Sequence, residues 1–297
     1  MTTSPWPAPA KLNLFLHVTG RRADGYHELE TLFQLIDWVD EITVAVTLDG
    51  RIERTEGAAG VPADQDLVVR AARLLRERVG QPALGARLAV HKRIPMGAGL
   101  GGGSSDAATT LVALNQLWGL GLDSEALAAV GLRLGADVPV FVRGHNALAR
   151  GIGEQLEPVE LPRRAFAVVF PGVPVATAEA FQAPELTRNS PKITIPGFPL
   201  PGDAGASLLG RNDLEPVVAA RYPAVRDALH WLGARGAARM TGSGASVFAA
   251  FADRAAARAA LAELPVGWTG FAAMGLRASP LLARLAQERQ VSPSTRR

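Results

Sequence analysis

The stretch Ile94-Pro-Met-Gly-Ala-Gly-Leu-Gly-Gly-Gly-Ser-Ser-Asp-Ala-Ala108 constrains this chain more than any other. Five glycines, Gly97, Gly99, Gly101, Gly102 and Gly103, fall within seven residues. Upstream, Leu88, Val90, Lys92 and Ile94 alternate with Ala89, His91 and Arg93, which is a strand pattern. Downstream, Ser104, Ser105 and Asp106 are good N-cap types. Ala107, Leu111, Leu114 and Trp118 then recur at helical spacing until Gly119 stops the run. The element therefore reads strand, glycine loop, helix N-terminus. Glycines permit positive φ and let backbone N–H groups converge on an anion, and a helix N-terminus adds unpaired donors and a positive dipole end. A sulfate or carboxylate would fit such a place, but its usual occupant is a phosphate chain.

Other glycine-loop readings fail on context. Gly97-x-Gly99-x-x-Gly102 matches the dinucleotide fingerprint, which needs a second strand ending in an acid about 20 residues on. That region holds Asp123-Ser-Glu-Ala-Leu, the start of another helix. No Gly-Lys-Ser/Thr occurs, which removes a Walker A loop, and neither His-Arg-Asp nor Asp-Phe-Gly is present to suggest a protein kinase.

At 297 residues, with 48% hydrophobic and 20% charged content, the chain is globular and long enough for one large or two ordinary domains. No run of 18 apolar residues appears, and Met-Thr-Thr-Ser-Pro-Trp-Pro has no signal-peptide character, so a cytoplasmic location and no membrane partner are expected. Zero cysteines excludes disulfides, zinc thiolate sites and cysteine nucleophiles. The 31 basic residues nearly balance the 28 acidic ones and never cluster beyond a pair, which speaks against nucleic acid. Only Lys11, Lys92 and Lys192 are lysines. A lysine that persists in so arginine-rich a chain suggests a place for a compact ammonium, and Lys11 is the most suggestive.

Along the chain, residues 10–18 alternate Leu12, Leu14, Leu16 and Val18 against Lys11, Asn13, Phe15 and His17, a strand with one apolar and one partly polar face. The turn Arg21-Arg22-Ala23-Asp24-Gly25 leads to Tyr26-His27-Glu28, then to strands at about 29–36 and 41–48 broken by Asp37-Trp38-Val39-Asp40. Residues 50–65 read as a surface loop and Asp66–Val79 as an amphipathic helix, with a further helix over Ser124–Leu134. Ala136-Asp137-Val138-Pro139 reads as a turn feeding an apolar strand, with Asp137 a lone carboxylate in apolar surroundings. A buried carboxylate needs a cationic partner, and Lys11 is the candidate. Gly144–Pro162 is the candidate boundary, giving domains at 1–160 and 161–297.

The second half reads as strand Ala165–Phe170, helix Thr177–Phe181, a long loop over 191–206, and helices near Asp213–Arg221 (capped by Asn212) and Ala224–Leu232. A second glycine turn, Gly242-Ser243-Gly244, then precedes strand Val247–Phe251. Alone that turn is an ordinary tight hairpin. Helix Arg254–Leu264, strand Trp268–Leu276 and a disordered tail from Gln287 complete the expectation.

Pro95-x-x-x-Gly99-Leu-x-x-x-Ser104-Ser105 resembles the phosphate loop of the galactokinase, homoserine, mevalonate and phosphomevalonate (GHMP) kinase superfamily. Within it, Pro9-Ala-Lys-Leu-Asn13, Arg22-Ala-Asp-Gly-Tyr-His-Glu-Leu29 and Thr31-Leu-Phe-Gln-Leu-Ile-Asp37 closely resemble the 4-diphosphocytidyl-2-C-methyl-D-erythritol kinase family. The resemblance covers about residues 8–48, 88–143, 166–192 and 209–251. It implies an α+β, two-domain α/β GHMP-kinase fold: a ribosomal-protein-S5-domain-2-like N-terminal domain and a ferredoxin-like C-terminal one. It also implies an ATP-dependent kinase, with Mg²⁺, phosphorylating the 2-hydroxyl of that cytidyl alcohol in non-mevalonate isoprenoid synthesis. Catalytic roles then fall on Lys11 and Asp137, and ATP contacts on Pro95, Met96, Gly97, Ala98, Gly99, Leu100, Gly101, Gly102, Gly103, Ser104, Ser105, Gly242, Ser243 and Gly244. Substrate contacts fall on Asn13, Tyr26, His27, Thr177 and Phe181, with Tyr26 and Phe181 stacking on the cytosine and His27 at its edge. Whether Asp137 acts as base or only orients the hydroxyl stays open at this point. So do two alternatives, a sister kinase on mevalonate or homoserine derivatives and a silent nucleotide binder.

Overall fold

The structure, a computed structural model, describes residues 5–193 and 210–291. Two sheets organise them. The first is built on β2 (His27–Thr47), whose first half pairs antiparallel with β1 (Trp6–Arg21) and β5 (Ala147–Gly151), and whose second half pairs with β4 (Gly85–His91). β3 (Ile52–Glu56) lies parallel to β4 at one edge, and β6 (Gln155–Pro158) closes the other. The order is β3-β4-β2-β5-β6, with β1 beside β2.

Several expectations change here. β2 is not broken at Asp37–Asp40. The β1 register jumps from Pro9 opposite Val39 to Ala10 opposite Ile36, so a bulge absorbs Asp37 and Trp38 within one continuous strand. Both acids are satisfied there instead of forming a turn. Asp37 accepts from Met274 N–H at 2.7 Å and pairs with Arg254, and Asp40 accepts from the Arg93 and Ile94 N–H groups. The loop expected over 50–65 contains β3, and the expected boundary stretch after Gly144 carries the β5–β6 hairpin of the first sheet.

Four helices cover one face of this sheet. α1 (Leu67–Val79) starts at Asp66, whose side chain accepts from Val68 N–H, and stops at Gly80 with φ 65°. α2 (Gly102–Leu117) follows the glycine loop, and α3 (Ser124–Leu132) is capped by Asp123. α4 (Val138–Arg143) occupies the run expected as a strand. Its Val138–Val142 are buried all round, and a short apolar run buried on every side carries no periodicity to separate helix from strand. Pro139 in its first turn and Gly144 at φ 71° after it are the helix signals.

The second sheet is antiparallel, in the order β10 (Thr269–Met274), β7 (Ala165–Phe170), β9 (Val247–Phe251), β8 (Arg239–Met240). α5 (Thr177–Gln182), α6 (Glu215–Arg221) and α7 (Pro223–Gly233) lie between β7 and β8, and α8 (Arg254–Ala259) between β9 and β10. This is the β-α-β-β-α-β succession of a ferredoxin-like fold. Asn212 does not cap α6: it accepts from Leu214 N–H in a turn ahead of the helix, while Leu214 holds the cap position. α8 ends earlier than expected. The tail expected to be disordered from Gln287 is helical to residue 291, in α9 (Pro280–Val291). Of the expected 191–206 loop, residues 194–206 lie outside the described residues, as does the end of the tail.

β1 ties the molecule together. Its Trp6 and Ala8 join the core under α1–α4, while Leu16 and Val18 join that of the second sheet. Between them Ala10, Leu12, Leu14 and Phe15 pack with Phe166, Val168, Phe248 and Phe271 where the two sheets meet. Each fully buried apolar side chain is worth ~1.5–3 kcal/mol. Both faces of β1 are thus covered, so Lys11, Asn13 and His17 are buried and do not lie on a solvated face.

Candidate active site

The glycine loop runs from the end of β4 to α2. Gly97, Gly99 and Gly101 take φ of 64°, 74° and 72° and alternate with buried Ala98 and Leu100, so the loop is pinned by its apolar residues and turned by its glycines. No larger residue fits at Gly99, where a Cβ would stand 2.3 Å from the Thr241 carbonyl oxygen. Backbone bonds bracket the loop: Lys11 N–H donates to Leu100 O, Ser246 N–H to Ala98 O and Val175 N–H to Gly97 O.

The helix cap is Gly101, not a serine. Ser104 and Ser105 therefore lie inside α2: the Ser104 N–H, like those of Gly102 and Gly103, falls in the first turn where N–H groups have no intrahelical acceptor, while the Ser105 N–H closes the first helical bond onto Gly101 O at 2.9 Å. The Ser104 residue lines the cavity. Ser105 lies buried beneath it, its Oγ without a hydrogen-bond partner. Side-chain capping would have used up the very donors that the glycine cap leaves available to an anion.

Lys11 is 3% exposed, and its ammonium donates to Asn13 Oδ1 at 2.5 Å and to Gly99 O at 2.9 Å. It stands 3.4 Å from Asp137 Oδ2. Asn13 is held in turn, its amide donating to Thr31 Oγ1 and its backbone N–H to Thr241 Oγ1, each at 2.8 Å. Asp137 occupies the cap position of α4 but makes no capping bond, and its side chain is 33% exposed. The carboxylate expected to be buried thus keeps one side open to the cavity, where a substrate hydroxyl would reach it.

The second glycine turn joins β8 to β9 as a hairpin and also closes over the first loop. A Cβ at Gly242 would come within 2.9 Å of Gly99 O and 3.2 Å of Lys11 Nζ. The Asn212 amide donates to Met240 O and Gly242 O, fixing the turn, and the Ser243 and Thr177 hydroxyls lie 2.8 Å apart.

These residues surround one cavity of about 640 Å³. Its walls include Lys11, Asn13, Asp137, Pro95 to Ser104, Gly242 to Gly244, Thr177 and Phe181. Tyr26 and His27 are not in that wall. Tyr26 is 60% exposed on its turn. His27 stacks on Phe181 with ring centres 5.3 Å apart and planes at 28°, which sets it just behind the wall. Arg188 Nε donates to His27 Nε2 at 3.1 Å. Burial first, then the charges of Arg188 and Arg21, hold the imidazole below its ordinary 6.5, so it is neutral at neutral pH.

Sequence reasoning missed one cluster. Lys92 lines the cavity and bridges Asp40 Oδ2 at 2.5 Å and Asp106 Oδ2 at 2.6 Å, joining β2 to α2 below the glycine loop. Burial pushes Asp106 up to about 7, with Lys92 opposing and Asp40 adding to the rise. Burial alone would lower Lys92, but Asp106 and Asp40 together raise it. The persistence of Lys92 in a lysine-poor chain was the available signal. Arg188, too, was indistinguishable in sequence from the other arginines.

An anion cradle facing a lysine-paired carboxylate can align a phosphate chain with a hydroxyl acceptor. The chain matches the GHMP kinases N terminal domain over residues 66–145 and the GHMP kinases C terminal domain over residues 202–266. It is 55% identical to the 4-diphosphocytidyl-2-C-methyl-D-erythritol kinase of Halorhodospira halophila across 96% of this chain and 97% of that one. It is 56% identical to the Alkalilimnicola ehrlichii protein of the same name, across 95% and 94%. Among solved structures, a 4-(cytidine 5'-diphospho)-2C-methyl-D-erythritol kinase aligns at TM-score 0.75 and 37% identity over 92% of this chain and 99% of that one. A mevalonate kinase, at TM-score 0.66 and 15% identity over 92% and 100%, shares the fold.

Proposed function

The chain belongs to the 4-diphosphocytidyl-2-C-methyl-D-erythritol kinase family of the GHMP kinases, and from that we propose how its cavity works. It transfers the γ-phosphoryl group of ATP to the 2-hydroxyl of 4-diphosphocytidyl-2-C-methyl-D-erythritol, a step of the methylerythritol phosphate route to isopentenyl diphosphate. The single observation that carries this is the Lys11 ammonium, held at once by Gly99 O of the glycine loop and 3.4 Å from Asp137 Oδ2.

Phosphoryl transfer asks little covalent chemistry of a protein; it asks for position and charge. The first N–H groups of α2 and the loop backbone receive the donor phosphates, with Pro95 to Ser104 forming the cradle and Gly242, Ser243 and Gly244 its cover. Asp137 accepts the proton of the acceptor hydroxyl, which a positioned base makes worth ~10²–10⁴ in rate. Lys11 keeps Asp137 ionised and meets the charge that builds on the attacking oxygen. Asn13, fixed by Thr31 and Thr241, and Thr177 line the pocket of the alcohol. Tyr26, His27 and Phe181 take the cytosine, Tyr26 from its exposed turn and Phe181 from the wall.

Mg²⁺ is the ion we assign to the donor. The loop offers hard oxygen ligands, including the buried, unpartnered Ser105 Oγ. Among the described residues no three His, Asp or Glu gather as a protein cage. That pattern suits an ion holding most of its shell from water and phosphate. When bound, such an ion neutralises charge on the β- and γ-phosphates.

We place the domain boundary at 160/161, between β6 and β7. Among the described residues no helix is long and apolar enough to cross a membrane, and a cytoplasmic enzyme with small-molecule partners and no nucleic acid is the reading we adopt.

The test is ATP consumption with Mg²⁺, offering diphosphocytidyl-methylerythritol, mevalonate and homoserine separately, with Asp137→Ala as control. Turnover on the cytidyl alcohol alone, lost in the variant, is expected. Turnover on another alcohol would overturn the substrate, and ATP binding with no turnover would leave a silent nucleotide binder.

A further inference from the structure

Asp40 is fully buried and lies outside the cavity wall, yet its carboxylate is directed at the base of the glycine loop. Oδ1 accepts from the Arg93 and Ile94 N–H groups at 2.5 and 2.8 Å, the two residues that lead into Pro95. Oδ2 accepts from Lys92 Nζ at 2.5 Å, and the same ammonium donates to Asp106 Oδ2 at 2.6 Å, inside α2. Entry and exit of the loop also touch directly. A Cβ added at Gly102, the first residue of α2, would stand 2.9 Å from Ile94 Cγ2 and 3.3 Å from Lys92 Nζ. The loop is thus closed at its base, and one carboxylate grips that base from below.

The bulge in β2 gives Asp40 this aim. The register jump around Asp37 and Trp38 turns neighbouring side chains to different tasks, as bulges beside functional sites do. Asp37 accepts from Met274 N–H of the second sheet. The Trp38 ring stacks on Phe271 with centres 4.1 Å apart, and its Nε1 donates to Arg93 O at 3.2 Å. Arg93 is therefore held by its N–H from Asp40 and by its carbonyl from Trp38.

A cradle built of backbone N–H groups needs such anchoring. Amides cannot reach after a ligand as a long side chain can, so they serve only where the backbone already stands in place. Glycines, left to themselves, supply the most conformational freedom to lose. Charge-assisted hydrogen bonds at the two ends of the loop offset it. Lys92 also neutralises a carboxylate that would otherwise stand buried and unpaired near a phosphate site.

We propose that Asp40 is the positioning residue of the phosphate cradle: from the β2 bulge it fixes the entry of the glycine loop directly and the exit through Lys92 and Asp106. This rests on the reading of the loop as the site of the ATP phosphates. Asp40 acts only through these partners.

Two variants separate the links. Asp40→Asn keeps an oxygen for Arg93 and Ile94 but loses the charge that holds Lys92. Asp106→Asn leaves the entry intact and breaks the exit. The measurement is calorimetric binding of ATP and, separately, of diphosphocytidyl-methylerythritol to the full chain. It needs no turnover, so it decides the clamp whether or not the kinase assay succeeds. Each variant should raise the ATP dissociation constant about tenfold, the loss expected of a hydrogen bond to a charged group. Affinity for the alcohol should stay within about twofold of wild type, because the cradle does not hold it. The double variant should bind ATP about as well as the weaker single one, since both changes sever the same chain of charges from β2 to α2.

Unchanged ATP affinity in Asp40→Asn would make the cluster a plain fold contact and overturn the proposal. Equal weakening of ATP and the alcohol would mean general loosening and would also overturn it. Additive losses in the double variant would mean that entry and exit are held separately, against a single clamp. Should Asp40→Asn fail to fold, Asp106→Asn decides alone, and unchanged ATP affinity there overturns the link to the exit. Wild type that binds the alcohol but no ATP would remove the underlying reading and the proposal with it.

Discussion

Lys11 Nζ lies 3.4 Å from Asp137 Oδ2 and 2.9 Å from Gly99 O, so one buried ammonium links the N-terminal end of α4 to the crest of the glycine loop. The proposed base and the proposed phosphate cradle are thereby held in one frame. Motion of the loop carries the lysine with it, and alignment between donor and acceptor is built into a single side chain.

That link makes the two residues separable by kinetics. Asp137→Ala should lower kcat by ~10²–10⁴ with little change in ATP affinity, because in the proposed arrangement Asp137 serves the acceptor and not the cradle. Lys11→Ala should lower kcat at least as far. It should also cost ~1–3 kcal/mol of stability, since Asn13 Oδ1 and Gly99 O both lose a donor. Steady-state ADP release and urea unfolding measure the two effects. An Asp137→Ala enzyme with unchanged kcat would remove the base.

Gly99→Ala should damage the site through the backbone alone. At φ 74°, an added Cβ would lie 2.3 Å from Thr241 O and 2.9 Å from Gly244 O, so the two glycine loops must move apart. A forced left-handed residue plus that clash should cost ~1–3 kcal/mol or more and weaken nucleotide binding. Thermal unfolding with and without ATP reads both. Gly25→Ala is the comparison: it also has positive φ, but an added Cβ meets nothing within 4 Å, so only the backbone strain should appear.

The Lys92 cluster makes a prediction about pH. Burial raises the Asp106 carboxyl from 3.8 to about 7, so between those values the folded chain binds a proton that the unfolded chain does not. Stability from this group therefore falls as pH rises through that window. Asp106→Asn removes the ionisation. The stability of the variant relative to wild type should consequently increase from pH 4.5 to pH 7.5, by urea unfolding at each pH. A difference that stays flat would mean that Asp106 does not titrate in that window.

Asp66 joins two stabilising jobs, capping Val68 N–H and pairing with Arg54 at 2.5 Å, both groups being largely buried. Asp66→Asn keeps the cap and removes the charge; Asp66→Ala removes both. The alanine variant should lose ~0.5–2 kcal/mol more than the asparagine one, the worth of an N-cap. Equal losses would mean that the ion pair dominates this helix start.

Much of the site was legible because it depends on local chemistry. Alternating glycines predict positive φ, and a well-spaced apolar run after them predicts α2; both hold. The cap is where the reading slipped. Ser104, Ser105 and Asp106 are favourable cap residues, but Gly101 in the left-handed conformation starts the helix three residues sooner. A preference among residue types does not reveal which backbone geometry the surrounding loop imposes. The strand expected after Asp137 failed for a similar reason. Val138–Val142 are β-branched or apolar and buried on all sides, and only packing decided that they coil. Likewise Asp37 and Asp40 looked like turn formers until partners from β10, the segment after β4 and Lys92 satisfied them within β2.

The sequence by itself determined the conformations that a few neighbouring residues enforce: the glycine turns, the capped starts of α1 and α3, the apolar strands and the words that carry the family likeness. The pairing of Lys11 with Asp137 was expected from the sequence and is found at 3.4 Å; for the other polar groups, only the tertiary structure decided which would meet. Lys11 with Asp137, Lys92 with Asp40 and Asp106, and Arg188 with His27 are each brought together by the burial of apolar strands and helices around them. Separation along a chain carries no distance information. A polar side chain excluded from water must take whatever partner the packing delivers, and that choice is made by the whole fold.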